Sequence, residues 1–590
     1  MEQNRRLFTF LLPRKELANE QELYYRVTAG NVCAADDRLS LKKDSTLSFN
    51  CFYGVFDYAV YREKTAVRSL LFHLSLQGDL IVRAYCTHGR DAKKPKTDLL
   101  CEERFSAKEQ SKLSFSLPLP AEEKGFVYLT LTSESESAFF GGYIEAQEDP
   151  LRSVKIGLAI TTFRREAFVK RNVAAITRDL PKEEFGVFVV DNGGTLSPED
   201  LPGATLFPNK NLGGSGGFTR GILEIRKRKE YTHILLTDDD ITFESEIFLR
   251  TAAILRYVLD PARTVIGAAM MELDCPYYQH EFGAEWNGII KPHNRGIDLR
   301  DPSSLLKNAL APAAEFSAWW FNCIPSDLPD RIGLPFPFFI KIDDIEYGLR
   351  AKCDILLLNG IGVWHEAFDN KYSALWDYYS KRNEQIVNAL RRPRLGPLYE
   401  FGKLLRSLSK QLIFQRYFAI DLILKAYDDF LAGADHFQTI DAIALHSKLR
   451  SLCEKQLPRE ELEKMGYDLS RPFYQAEPFD SFPQKLKQVF TLNGYLLPRR
   501  REDYRLIDMT SAMPKCFYRA ARTLQFNPAT QTGFVTEQKR FVLLKTAFRI
   551  VPYFFKLLFR YRKACRSFRK LFPELTSESA WKERLGESTL

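Results

Sequence analysis

Up to about residue 150, apolar and polar positions alternate in short bursts at 46–50, 70–74, 79–83, 113–117 and 125–131, with polar turns between them. A period of two marks half-buried strands, and several at this spacing predict a β-sandwich or jelly roll over residues 1–150. Near residue 152 the pattern changes. Residues 154–160 are almost continuously apolar, as expected of a strand covered on both faces. A helical spacing follows over 166–179, and the buried-strand pattern returns at 186–190 and 232–236. Strand–helix–strand alternation predicts a parallel α/β sheet, placed within residues 151–385. Beyond about residue 375 apolar residues recur at helical spacing, through Leu404, Leu405, Leu412, Ile413, Phe418, Leu422 and Leu424. Residues 386–590 therefore read as a helical C-terminal region.

Open α/β sheets bind ligands beyond the carboxyl ends of their strands. Polar residues follow all three predicted core strands: Thr161-Thr162-Phe163-Arg164, Asp191-Asn192, and Asp238-Asp239-Asp240. Carboxylates two positions apart just past a strand can converge on one hard divalent cation, with a diphosphate completing its shell. The plainer reading of the triplet is a solvated acidic turn. Four glycines within five positions, Gly213, Gly214, Gly216 and Gly217, follow Asn211 and let backbone approach phosphate or sugar oxygens. The competing reading is a linker, and neither a P-loop nor a dinucleotide fingerprint is present.

Further on, the aromatic run 335–342 delivers Asp343 and Asp344 at a predicted helix start. Such carboxylates are often caps, yet one beside apolar surface can serve as a general base. His365, after the apolar stretch 355–358, is either a structural histidine or a third metal ligand for the triplet. Trp319 and Trp320 are either core residues or faces on which a sugar stacks.

Length and composition narrow these readings. A chain of 590 residues needs several domains, and its formal charge of +9 does not by itself point to nucleic acid. The ten cysteines form no C-x-x-C pair and no zinc spacing, so they read as reduced thiols. The apolar stretch ending at Leu12 is too short for a signal peptide, and no uninterrupted run is long enough to span a bilayer. A cytoplasmic location is expected. Residues 538–573 contain no acidic residue. There Phe548, Val551, Phe555, Leu558, Phe559, Phe568, Leu571 and Phe572 interleave with lysines and arginines, which fits either an interfacial helix on an anionic membrane or a core helix with a basic outer face.

These segments together are similar to the GT-A, family-2 glycosyltransferases, and specifically to galactofuranosyltransferases of the mycobacterial galactan-polymerising type. The resemblance runs from about 154 to 385. It is carried by residues 161–164, 211–221, 238–241, 319–320, 339–350 and 364–365. It implies a multidomain α/β chain: a GT-A (Rossmann-like) core, a β-sandwich or jelly-roll N-terminal domain and a helical C-terminal region. The implied activity is inverting, metal-dependent transfer of a hexose, galactofuranose from UDP-galactofuranose, to a hydroxyl of a cell-surface glycan or its lipid-linked precursor.

By the same resemblance Asp238, Asp240 and His365 would hold Mn2+ or Mg2+, and Asp344 would be the base. Arg164, Asp191, Asn211, Gly213, Gly214 and Asp239 would contact the donor; Asp343, Trp319 and Trp320 would contact the acceptor. Two positions depart from the family: Ile342 stands where it has Trp, and Ser380 where it has His. Implied partners are a UDP-sugar donor, a glycan or lipid-linked glycan acceptor and an anionic membrane surface on the inner face of the plasma membrane. Further copies of the chain are an option and nucleic acid is not expected. The alternatives are a family-2 transferase using another UDP-hexose, or a nucleotidyltransferase.

Overall fold

The computed structural model describes residues 5–14, 17, 20–122, 124–367, 372–475, 482–500 and 503–586. The chain forms two compact units. One comprises residues 1–335, 344–366 and 581–590, and the other 336–343 and 367–580.

Among the described residues of the first unit, nine strands between Arg6 and Ala146 pair antiparallel. Hydrogen bonding joins them into one continuous network, where the sequence pattern predicts a sandwich or jelly roll. The segments 70–74 and 79–83, predicted as two strands, are halves of a single strand, Ser69–His88. Its first half pairs with Ser137–Ala146 and its second with Gly125–Ser133. Gly78, at φ +95°, marks the changeover; a Cβ there would stand 2.3 Å from Ser137 Oγ.

A mixed seven-stranded sheet follows. Its parallel part is Ala204–Pro208, Phe185–Asp191, Ile156–Thr162 and His233–Asp238, in that order. Asn322–Pro325 pairs antiparallel to His233–Asp238 and begins the other half. The helix Gly213–Arg228 packs on this sheet through Phe218, Ile222 and Ile225, against Ala159, Ile234 and Leu236. A five-stranded sheet alongside contains Thr242–Phe243, Gly362–His365 and Ala269–Glu272.

The N-terminal sheet is tied into this core. Arg250, buried on the helix Glu246–Tyr257, donates to the carbonyls of Thr9 (2.8 Å), Tyr53 (3.1 Å) and Gly360 (3.1 Å). A buried guanidinium is tolerable only when its donors find acceptors.

The second unit has the expected helices Ala374–Arg391, Pro397–Ile413 and Tyr417–Ala432. It also carries a four-stranded sheet formed by Leu457–Pro458, Arg505–Asp508, Arg522–Asn527 and Thr532–Glu537. The C-terminal region is thus not helical throughout. Alternation at Leu524 and Phe526, both buried with Leu506, was the local signal for that sheet.

Candidate active site

The parallel register aligns the polar strand ends. Thr162 is opposite Asp191, and Thr161 is opposite Asp238. The triplet then turns back under the helix Glu166–Asp179. Asn172 Nδ2 donates to the carbonyls of Asp239 (2.9 Å) and Ile241 (3.0 Å), and Arg171 also donates to Ile241 O (2.8 Å). These bonds fix the turn's backbone and leave the carboxylates to face the site. Asp239 and Asp240 are both buried, so the triplet is not a solvated acidic turn.

His365 ends the strand Gly362–His365 of the neighbouring sheet. Its Nδ1 lies 2.7 Å from Glu366 O, which holds the proton on Nδ1 and leaves Nε2 as a lone-pair donor. Nε2 is 3.2 Å from Asp240 Oδ1. Asp238, Asp240 and His365 each bring one ligand atom to within 4.8 Å of the others. Two carboxylate oxygens and one imidazole nitrogen, with the imidazole tautomer fixed, suit Mn2+ or Mg2+ and leave coordination positions for phosphate oxygens.

Arg165, which the sequence pattern did not single out, enters this cluster. It forms an ion pair with Asp240 Oδ2 and sits 3.7 Å from Asp239 Oδ1. The adjacent Arg164 has a left-handed backbone, φ 56°, and this turn lets two consecutive arginines diverge. Arg164 itself is exposed, its guanidinium 5.3 Å from the Phe163 ring. Burial pushes the Asp239 carboxyl up to about 7; the neighbouring Asp240 charge acts in the same direction and Arg165 against it.

The remaining candidates fall in different places. Asp191 is almost fully buried. Its carboxylate accepts from the backbone N–H of Gly193 (2.7 Å), Thr195 (2.7 Å) and Leu196 (2.9 Å). Its role in this structure is to shape the loop after the second strand. Asn211 Oδ1 accepts from Gly213 N (3.0 Å), and Asn192, held by Asn209, donates to Gly213 O (3.1 Å).

The glycine run, weighed from the sequence as a cradle for phosphate or sugar against a linker, forms the first turns of the helix Gly213–Arg228. A Cβ on Gly217 would stand 2.1 Å from Thr161 Cγ2, and one on Gly221 2.7 Å from Ala159 Cβ. Those glycines bring the helix close to the first strand. Gly213 and half-buried Gly214 stand at its N-terminus, where backbone N–H groups and the helix dipole favour an anion.

Trp319 and Trp320 are both buried. Trp319 packs edge-on against Phe218 and Tyr347 in the core, and Trp320 Nε1 donates to Ala268 O (3.4 Å). Open stacking faces are therefore not what the structure presents. Trp319 nonetheless borders a small pocket together with Asp344, Tyr347 and Gly348. Asp344 lies at the start of the helix Asp343–Ala351, as the sequence predicts, with Oδ1 2.8 Å from Ile345 N. Asp343 is buried.

No protein-family model matches the chain. It is 26% identical over 643 residues to the galactofuranosyltransferase GlfT2 of Mycobacterium tuberculosis (strain ATCC 25618 / H37Rv), covering 98% of this chain and 96% of that one. Its identity to the galactofuranosyltransferase GlfT2 of Mycolicibacterium smegmatis is 28% over 482 residues, covering 75% and 73%. Among solved structures, Staphylococcus aureus TarS 1–349 in complex with UDP aligns with 55% of this chain and 95% of that one, at 16% identity and a TM-score of 0.30. That likeness is too distant to bear on function. The resemblance to galactofuranosyltransferases stands over almost the whole chain, and with it the reading of the chain as a glycosyltransferase.

Proposed function

We propose that the chain is an inverting, divalent-metal-dependent transferase that moves galactofuranose from UDP-galactofuranose to a hydroxyl of a cell-surface glycan or its lipid-linked precursor. The observation that carries this reading is the convergence of Asp238 at a strand end, Asp240 in the turn after it and His365 at the end of a strand in the neighbouring sheet, with the imidazole's Nε2 facing the carboxylates. Similarity to two galactofuranosyltransferases supports the choice of sugar. A bound Mn2+ or Mg2+ would neutralise charge on the departing diphosphate. Arg165 is the neighbouring cation for that charge, and the N-terminus of the helix Gly213–Arg228 offers backbone donors to an anion. Arg164, exposed beside the Asp191 loop, would meet the nucleotide, with Asp239 nearer the ribose or diphosphate.

Asp344 would take the proton from the acceptor hydroxyl as that oxygen attacks the anomeric carbon. By the resemblance, Trp319, Trp320 and Asp343 would belong to the acceptor side; of these, Trp319 lines the same small pocket as Asp344. Positioning of both substrates would contribute much of the rate. The test is UDP release from a panel of UDP-hexoses, with and without EDTA and a galactan acceptor. Metal-dependent release with UDP-galactofuranose, lost in Asp344→Asn, is expected. Pyrophosphate release, or full turnover in EDTA, would refute the reading.

We also propose that the helix Arg540–Leu575 rests on an anionic membrane. Phe541, Leu544, Phe548, Val551 and Phe555 recur every three or four positions, Leu558 and Phe559 follow three and four positions after Phe555, and all are exposed, Phe548 by 78%. Lys545, Arg560, Arg562 and Lys563 are exposed on the same helix. The expected apolar set divides here, because Phe568 is fully buried and belongs to the interior. Among the described residues no helix is long and apolar enough to cross a membrane.

A further inference from the structure

The segment that leads into Asp343 is held in a conformation its residues do not favour. Phe339 (φ 77°), Lys341 (φ 69°) and Ile342 (φ 73°) all have left-handed backbone within four positions. Such values are uncommon for any residue with a side chain, and for a β-branched isoleucine they are an outlier. Strain of this kind persists only where surrounding structure over-determines it, and it concentrates where geometry matters for function.

The over-determination comes from two adjacent residues of the helix Ala374–Arg391. Asn383 Nδ2 donates to the carbonyls of both Ile340 (3.0 Å) and Lys341 (2.9 Å). Arg382 donates from Nη2 to Phe338 O (2.9 Å). Arg382 Nε also donates to Asn383 Oδ1 (3.0 Å), which fixes the amide so that its N–H groups must face the loop. Arg382 is in turn held by Tyr378, whose hydroxyl lies 3.3 Å from Nη1 and donates to Asp429 (2.6 Å). Both Arg382 and Asn383 are buried. Two donors on two successive carbonyls match the left-handed turn, because relaxing Lys341 to ordinary φ would swing its carbonyl away.

We propose that Arg382 and Asn383 are positioning residues for the reaction, forming a clamp that keeps 338–342 in its left-handed course and thereby sets where Asp343 and Asp344 begin. This inference rests on the functional reading of Asp344 given above. Neither residue touches substrate; both act through the backbone of the loop. The metal cluster and Arg165 lie on other segments of chain and should be untouched by loss of the clamp.

The test compares the unaltered protein with Asn383→Ala, Lys341→Gly and the double variant. Three quantities are read: kcat and KM for the UDP-sugar, amide hydrogen exchange over 338–345, and Tm. Asn383→Ala should lower kcat by roughly 10- to 100-fold, the scale of a misplaced reacting group. Its donor KM should change by less than about threefold, and exchange over 338–345 should rise. Glycine adopts positive φ without strain, so Lys341→Gly in the Asn383→Ala background should restore a large part of kcat. A merely structural asparagine would give no such rescue. Should Asn383→Ala not fold, Lys341→Gly is set against Lys341→Ala, which loses the same side chain and its contact with the Trp376 ring: the clamp requires the glycine variant to show the higher Tm and kcat, whereas equal or lower values mean no strain was stored there. Unchanged kcat in Asn383→Ala, unchanged exchange, or failure of the glycine rescue each overturns the proposal. If the unaltered protein turns over no UDP-sugar, the functional reading fails, while exchange and Tm still decide whether the clamp exists.

Discussion

His365 Nε2 faces Asp240 Oδ1 across 3.2 Å, with Asp240 in the turn between the strands His233–Asp238 and Thr242–Phe243. The second of those strands pairs with Gly362–His365, Thr242 opposite Trp364, so sheet register brings the two residues together. The Glu366 carbonyl orients the imidazole from behind, and Arg165 holds the other oxygen of Asp240.

If Asp238, Asp240 and His365 hold the metal as proposed, removing one of them should weaken metal binding more than it disturbs the fold. His365→Ala should raise the Mn2+ concentration needed for half-maximal UDP release by at least about tenfold, with Tm in EDTA little changed. Arg165→Met removes a competing cation, so Mn2+ alone should bind more tightly by calorimetry. Equal metal dependence in His365→Ala and the parent would remove His365 from the site.

Gly217→Ala sets helix propensity against packing. Alanine in place of glycine gains up to about 1 kcal/mol within a helix. The new Cβ would meet Thr161 Cγ2 at 2.1 Å, and overpacking of this sort costs about 1–3 kcal/mol or more. The packing effect should win, so denaturant unfolding should report net destabilisation. A stabilised Gly217→Ala would mean the helix is free to move off the strand.

His233 opens the strand that ends in the triplet, and burial lowers its pKa to about 4. Its folded form stays neutral while the unfolded chain takes up a proton near pH 6.5. The unfolded state thus binds more protons between about pH 6.5 and 4, and stability falls as pH drops through that window. The full effect is on the order of 3 kcal/mol. His233→Gln should flatten this slope in urea titrations at pH 7, 5.5 and 4.5. Parallel slopes for both proteins would show that His233 contributes nothing to acid lability.

Phe548→Ser, Phe555→Ser and Phe559→Ser combined should reduce flotation with phosphatidylserine-containing vesicles at least about tenfold, since each exposed ring could bury substantial apolar area. Binding of the parent should also weaken in high salt and on neutral vesicles. Turnover of soluble acceptor should be unaffected. Undiminished flotation of the triple variant would place membrane contact elsewhere or nowhere.

The strand ends around Thr161, Asp191 and Asp238 were legible in the sequence because buried parallel strands leave long apolar runs, and their polar termini then stand out. The helix beginning at Asp343 was equally plain from its acidic first turn. Other features depend on what lies opposite in space. The glycines of 213–221 look alike whether they cradle a ligand or let a helix settle on a strand; only the position of Thr161 and Ala159 distinguishes the two. Arg165 was hidden because nothing local reveals that Arg164 turns left-handed. The strand Ser69–His88 was split in two because Gly78 interrupts its alternation without ending it. The buried state of Trp319 and Trp320 depends on neighbours contributed by distant segments.

The three carbonyls around Arg250 come from the N-terminal sheet region, at Thr9 and Tyr53, and from the stretch just before the His365 strand, at Gly360. A chain beginning at residue 151 would take two of that guanidinium's three carbonyl acceptors away and strip off the Phe8 ring packed over it. Recombination between relatives would likewise have to exchange both parts together. An excised or exchanged N-terminal sheet should therefore cost the core stability as well as the sheet itself.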